Sequence, residues 1–305
     1  MEGRLRRRWN KTVHSITKRW DRFRTRRAGA QLSQRAGTIE WNAVSEAPLP
    51  GRAAAGSEGV TVILNTYERS HYMQSQIEAI RAQSVVPDEI WIWSNRGATP
   101  QTDLSGLCDR FVVSNYNWKF FGRFALGLMA ETRYINWIDD DMLPGERWLE
   151  NCINTIETAE TCGPLGGMGM RIPASGIERK SDRIGWRGPY LEQAQEVDFI
   201  GHTWFLRRDW LELMWREMPY TLGNSEDMHL CYSAQKYGGL KTFVPPHPPG
   251  QNALWSNSSE AIGVIRGGDE QKHSSDLNHP GHDDERNAVI AHYRANGWQL
   301  LCERE

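Results

Sequence analysis

The chain has no run of about 18 apolar residues, so no segment reads as a membrane span. Its basic N-terminus is not followed by an apolar stretch, so no secretory signal is expected. Cysteine is scarce: five residues (Cys108, Cys152, Cys162, Cys231 and Cys302), an odd count with no Cys-x-x-Cys pair. That argues against a disulfide framework and for a reduced, cytoplasmic setting. Neither a Walker lysine motif nor a Gly-x-Gly-x-x-Gly after a strand occurs, so the common phosphate-cradling loops are missing. Glycine clusters at Gly163, Gly166, Gly167 and Gly169, which reads as close backbone packing rather than a cradle. Disorder is excluded by an apolar fraction of 39%, with 14 Trp, 9 Tyr and 8 Phe. The 305 residues suffice for one large domain or two smaller ones with an ample core.

Net charge is also nearly absent, at -2, but the balance is uneven. The first thirty residues hold eleven Arg or Lys against Glu2 and Asp21, a surplus of +9. The remaining 275 hold 25 basic and 36 acidic residues, or -11. Such asymmetry points to an anionic partner for the arm. Within residues 4–27, Leu5, Trp9, Val13, Ile16, Trp20 and Phe23 recur at steps of three and four, which is one helical face. Two Trp and a Phe with Arg and Lys opposite suit a helix lying in an anionic membrane interface, at roughly 1 kcal/mol of attraction per basic residue. The alternative is docking on a protein surface. The apolar face disfavours nucleic acid. Peripheral attachment at a cytoplasmic membrane face is therefore expected. Residues 43–59, rich in Ala, Pro, Gly and Ser, read as a linker.

Val60–Leu64 is a β-branched run ending in Asn65-Thr66-Tyr67-Glu68-Arg69. Residues 70–84 read as a helix with Ser70 as N-cap, and Glu89–Trp93 as a second strand ending in Ser94-Asn95. Strand, helix, strand in this span is a βαβ unit and predicts a parallel sheet with ligands beyond the strands' carboxyl ends.

Tyr134–Ile138 is an apolar strand that runs into Asp139-Asp140-Asp141, then Pro144-Gly145. Strand alternation would put Asp139 and Asp141 on one face. Three adjacent carboxylates repel one another unless a cation is shared. Mn²⁺ or Mg²⁺ takes carboxylate and diphosphate oxygens together. The structural alternative is a solvated acidic turn. Further on, Val197–Leu206 has strand composition, and Asn224–Tyr232 opens a helix with Glu226-Asp227 in its first turn. A helix dipole alone favours acids there. Leu240–Val244 is a last strand, stopped by prolines around His247.

The strand beginning at Val60, the strand ending at Asn95, Ile138-Asp139-Asp140-Asp141 and Glu226-Asp227 together resemble the GT-A class of nucleotide-sugar glycosyltransferases. The likeness is to family-2-type enzymes, with a fainter one to exostosin-type N-acetylglucosaminyltransferase domains. It covers residues 60 to about 250. It implies an α/β fold: a Rossmann-like, mixed, mostly parallel sheet flanked by helices. The implied layout is an amphipathic helix at 1–30, a linker at 31–59 and a catalytic domain at 60–255. A mobile lid at 256–285 and a C-terminal helix at 286–305 follow.

The resemblance also implies roles. Thr66, Tyr67, Glu68 and Arg69 would meet the donor nucleotide. Asn95 stands where the family usually has an acid for the base or ribose. Asp139 and Asp140 would lie on the donor side, with Asp141 holding the metal. Arg123, otherwise a helix-surface charge, would face the donor sugar or phosphate. Gly201, His202, Thr203 and Trp204 would floor the acceptor site, Trp204 by stacking. Asp227, beside Glu226, would be the general base of an inverting transfer. His247 would be a further metal ligand, against the plainer reading of a loop histidine. Arg266 and Lys272 would reach the diphosphate from the lid. A UDP-sugar donor and a glycan or lipid-linked acceptor are implied. A retaining, exostosin-like reaction and a non-catalytic sugar-binding scaffold are the alternatives. A nucleotidyltransferase is disfavoured because the loop after the first strand is not Gly-rich.

Overall fold

The computed structural model describes residues 57–67, 70–96, 103–177, 183–186, 188–257 and 281–304. The arm at 1–30, most of the linker, Glu68, Arg69 and 258–280 of the expected lid, with Arg266 and Lys272, lie outside them.

Among the described residues, nine strands form one mixed sheet. They are β1 (Ser57–Thr66), β2 (Glu89–Ser94), β3 (Arg110–Val113), β4 (Thr132–Ile138), β5 (Leu165–Met170), β6 (Arg183–Gly185), β7 (Gln195–Val197), β8 (Phe199–Arg207) and β9 (Thr242–Val244). The order is β3-β2-β1-β4-β8-β5-β9-β7, with β6 beside β5. Pairings β1–β2, β1–β4, β2–β3 and β5–β9 are parallel, whereas β8 runs against both β4 and β5. The strands therefore run mostly one way, with β6, β7 and β8 opposed. This is the expected α/β architecture.

Helices α1 (Met73–Arg81), α2 (Phe121–Gly127), α3 (Trp148–Ile156), α4 (Glu226–Gly238) and α5 (His282–Ala295) flank the sheet. Two apolar clusters pack against them. One joins Ile63, Trp91, Phe124, Trp137 and Trp204 to α4 and α5. The other joins Val62, Leu64, Ile77, Ile80, Trp148 and Phe205. Alternation along β1 sends Ile63 to one cluster and Val62 and Leu64 to the other, as expected of a strand buried on both faces.

The sequence predicts β1, β2, β4, β8 and β9 close to where they lie. The helix expected from Ser70 begins instead as a 3-10 turn (Ser70–Tyr72), and α1 starts at Met73 with no side-chain cap. On β5, a side chain at Gly166 would overlap Ile200, and one at Gly169 would overlap Val197 and Val244. Close packing is thus what these glycines provide.

Candidate active site

The parallel strands β1, β2 and β4 end side by side, which gathers Asn65, Thr66, Asn95 and Asp139 at one edge. The chain leaves β4 at Ile138, so the three aspartates lie in a turn rather than in the strand; Met142 N donates to Asp139 O at 3.1 Å. Asp139 and Asp141 converge through that turn, not through strand alternation.

The turn is held from both sides. Gln76 of α1 donates its amide to Asp139 O (2.7 Å) and Met142 O (2.8 Å). Leu143 N donates to Asn257 Oδ1 at 2.8 Å, and Gly145 N to Trp255 O at 2.9 Å. Gly145 has to be glycine: a Cβ there would stand 2.2 Å from the backbone oxygen of Asn252.

His202 meets this turn from β8. Its backbone oxygen accepts from Asp139 N at 3.0 Å, and its φ of +66° is unusual for a residue with a side chain. The Trp186 ring packs edge-on against the imidazole at 4.8 Å. Asp139, Asp141 and His202 each present one ligand atom, all within 4.8 Å of one another. His202 Nδ1 is buried, has no hydrogen-bond partner among the described residues and lies 3.9 Å from Asp139 Oδ2. An orphaned ring nitrogen facing two carboxylates fits a divalent cation, which would satisfy it and offset the repulsion.

Arg123 of α2 joins the turn to α4. Its side chain is only 4% exposed. Nη1 donates to Asn65 Oδ1 (2.6 Å) and to Asp139 Oδ1, and Nη2 to Glu226 Oε1 at 3.2 Å. The guanidinium lies over the Trp204 ring at 4.3 Å. Burial works against its charge, and Asp139 and Glu226 more than offset that. Arg123 is therefore an internal clamp between Asp139 and Glu226, not a helix-surface charge.

Glu226 and Asp227 open α4 after Ser225, whose φ is +63°. Burial, then the neighbouring Asp227, pushes the Glu226 carboxyl up to about 7, and Arg123 opposes the shift. Asp227 is also enclosed. Its Oδ1 accepts from Met228 N at 2.7 Å, and its Oδ2 from Arg286 Nη2 of α5 at 2.8 Å.

Several residues lie elsewhere than the resemblance implies. Trp204 is 2% exposed beneath Arg123, so no sugar face reaches it. His202 sits with the carboxylates rather than with an acceptor floor; Gly201 precedes it in β8, paired with Met168. His247 is buried, with Nδ1 on Pro245 O (2.8 Å) and Nε2 on Ser256 Oγ (3.0 Å), and burial holds its pKa down to about 4. It joins no metal group among the described residues. Asn95 donates to Asn117 Oδ1 (2.9 Å) and Lys119 O (3.1 Å) and accepts from Trp118 N (3.1 Å), which pins the loop before α2. Thr66 is buried, Tyr67 is 41% exposed, and Asp140 is buried within the turn. Two contributors escape a sequence reading. Asn65 lies in the quoted motif with no sign that it faces Arg123. Arg286 lies 59 residues from Asp227, on a helix with no motif.

No family model and no curated protein matches this chain. Among solved structures it is similar to a crystal structure of S. aureus TarS, with TM-score 0.45 and 15% identity over 80% of this chain and 45% of that one. A structure of S. aureus TarS 1-349 gives TM-score 0.46 and 16% identity over 78% of this chain and 72% of that one. The chain thus spans less than half the length of the first of these.

Proposed function

We propose that the protein is a metal-dependent glycosyltransferase. It would move a sugar from a nucleoside-diphosphate donor to a hydroxyl of a glycan or glycolipid, with inversion. The observation that carries this reading is the Arg123 bridge: one buried guanidinium ties Asp139 of the Asp139–Asp141–His202 group to Glu226, beside Asp227.

Asp139, Asp141 and His202 would hold the cation. Two carboxylates suit Mn²⁺ or Mg²⁺, and the imidazole favours Mn²⁺. When bound, it offsets charge on the leaving nucleoside diphosphate. The protein's own groups supply the rest. Asp227 takes the proton of the acceptor hydroxyl as that oxygen attacks C1, and the C1–oxygen bond to the diphosphate breaks on the opposite side. Arg123 keeps Asp139 and Glu226 in fixed relation, so the donor end and the base end of the site cannot drift apart. Thr66 and Tyr67, at the end of β1, would meet the nucleotide, since ligands sit beyond the carboxyl ends of such strands.

A panel of nucleotide sugars tests this directly. Release of free nucleoside diphosphate should occur with one donor, require Mn²⁺ or Mg²⁺, and rise when the acceptor is supplied. No release from any donor, with either metal and a mixed glycan and lipid extract, would contradict it.

No helix among the described residues is long and apolar enough to cross a membrane. Residues 4–27 are proposed to place the enzyme peripherally on an anionic, cytoplasmic membrane face near lipid-linked acceptors. Removing residues 1–30 should abolish co-sedimentation with phosphatidylglycerol vesicles and leave activity on a soluble acceptor unchanged. Equal sedimentation of both forms would exclude the membrane role.

A further inference from the structure

Helix α5 reads from the sequence as a closing element, yet its first turns enter the site. His282 Nδ1 lies 3.2 Å from Asn224 Nδ2, just before α4. Asn287 accepts from Ile177 N at 2.7 Å and donates to Ile177 O at 3.0 Å. Tyr293 stacks on Tyr232 at 4.2 Å, and its hydroxyl contacts His229 Nδ1 at 2.9 Å. These ties come from three directions and fix the helix against α4. Between them, Arg286 crosses the Phe199 ring at 4.9 Å and donates to Asp227 Oδ2. Both side chains of the pair are 12% exposed.

We propose that Arg286 is a positioning residue that holds the Asp227 carboxylate in one orientation, so that α5 completes the base that α4 carries. This rests on the reading of Asp227 as the base.

The charge layout gives the reason. Asp227 adjoins Glu226, and two neighbouring carboxylates in a buried site repel one another unless a cation is near. The groups around Asp227 are Glu226 and Cys231 on α4, Arg123 on α2 beyond Glu226, and Tyr293 and Arg286 on α5. Arg123 is occupied by Asp139 and Glu226. Arg286 is the cation paired with Asp227 among the described residues. A hydrogen-bonded guanidinium also fixes the carboxylate plane more firmly than a diffuse charge would. A single Arg on a separately anchored helix thus sets the orientation of the base.

The test reads turnover against folding. Arg286→Gln should lower kcat for acceptor-dependent release of nucleoside diphosphate by about tenfold or more and leave the donor KM unchanged, because misplacing a catalytic group by about 1 Å costs up to about a hundredfold. Arg286→Lys keeps the charge and should recover part of the loss. Arg286→Met retains an apolar stem over Phe199; it gives the same reading should the Gln variant fold poorly. In an Asp227→Asn background, Arg286→Gln should add no further loss. A folded Arg286→Gln or Arg286→Met protein with the parent kcat would overturn the proposal. So would a full additional loss in the Asp227→Asn background, which would reveal general loosening. Full turnover by Asp227→Asn would instead remove the base reading itself.

Discussion

Asp227→Asn should bind nucleoside diphosphate as the parent protein does and lose transfer by about 10²–10⁴-fold, the usual worth of a positioned general base. The amide oxygen replaces one of the two carboxylate acceptors, so one of the bonds from Arg286 and Met228 N is kept and the other is lost with the NH2 group. The ability to take a proton is lost with it. The loss should appear in kcat, with the donor KM little changed, because the proposed base would act on the acceptor hydroxyl and not on the donor. A variant that turns over at the parent rate would show that another group accepts the proton.

Arg123→Met should be the most destabilising single change at the site. It would leave Asp139 and Glu226 near one another without their shared cation, and breaking a buried ion pair from one side costs about 3–5 kcal/mol. For a chain of this size that lowers Tm by roughly 10 °C. The pH response carries a second signature. Glu226 is held above its ordinary value in the folded protein, at about 7. Its contribution to stability is therefore full below the unfolded carboxyl pKa of 4.5 and is lost as pH rises through about 7. Glu226→Gln should flatten that part of the Tm-against-pH curve. Arg123→Met should push the loss to higher pH, since the guanidinium is what opposes the shift. An unchanged Tm in Arg123→Met would mean that the bridge contributes nothing to the fold.

The legible part of this protein is the part written in short-range patterns. β1, β2 and β4 are runs of Val, Ile, Leu and Trp between polar ends, and a strand buried on both faces has that signature. Asp139-Asp140-Asp141 is conspicuous because three adjacent carboxylates need an explanation wherever they occur. β3, with its partly exposed residues, and the three-residue strands β6 and β7 carry too little pattern to be read.

The site's partners escape for a different reason. His202 joins Asp139 and Asp141 because antiparallel pairing of β8 with β4 brings Thr203 opposite Ile138. That register is a tertiary fact with no spacing rule in the chain. Trp204 looks like a sugar platform in sequence and is a floor for Arg123 in space. His247 has the right loop and the wrong neighbours: Nδ1 donates to Pro245 O and Nε2 accepts from Ser256, so both ring nitrogens are taken. Arg286 reaches Asp227 only because α5 packs back across α4.

A nucleotide-binding, metal-dependent site at the strand ends is the central claim, and thermal unfolding with UDP and Mn²⁺ tests it most directly. A ligand that binds only the folded state raises Tm, by about 2.7 kcal/mol of stability at a hundredfold excess over Kd. The parent protein should be stabilised by UDP with Mn²⁺ well beyond either alone, and Asp141→Ala should lose that joint effect while unfolding normally without ligand. Equal stabilisation of parent and Asp141→Ala, or stabilisation by UDP that ignores Mn²⁺, would contradict it.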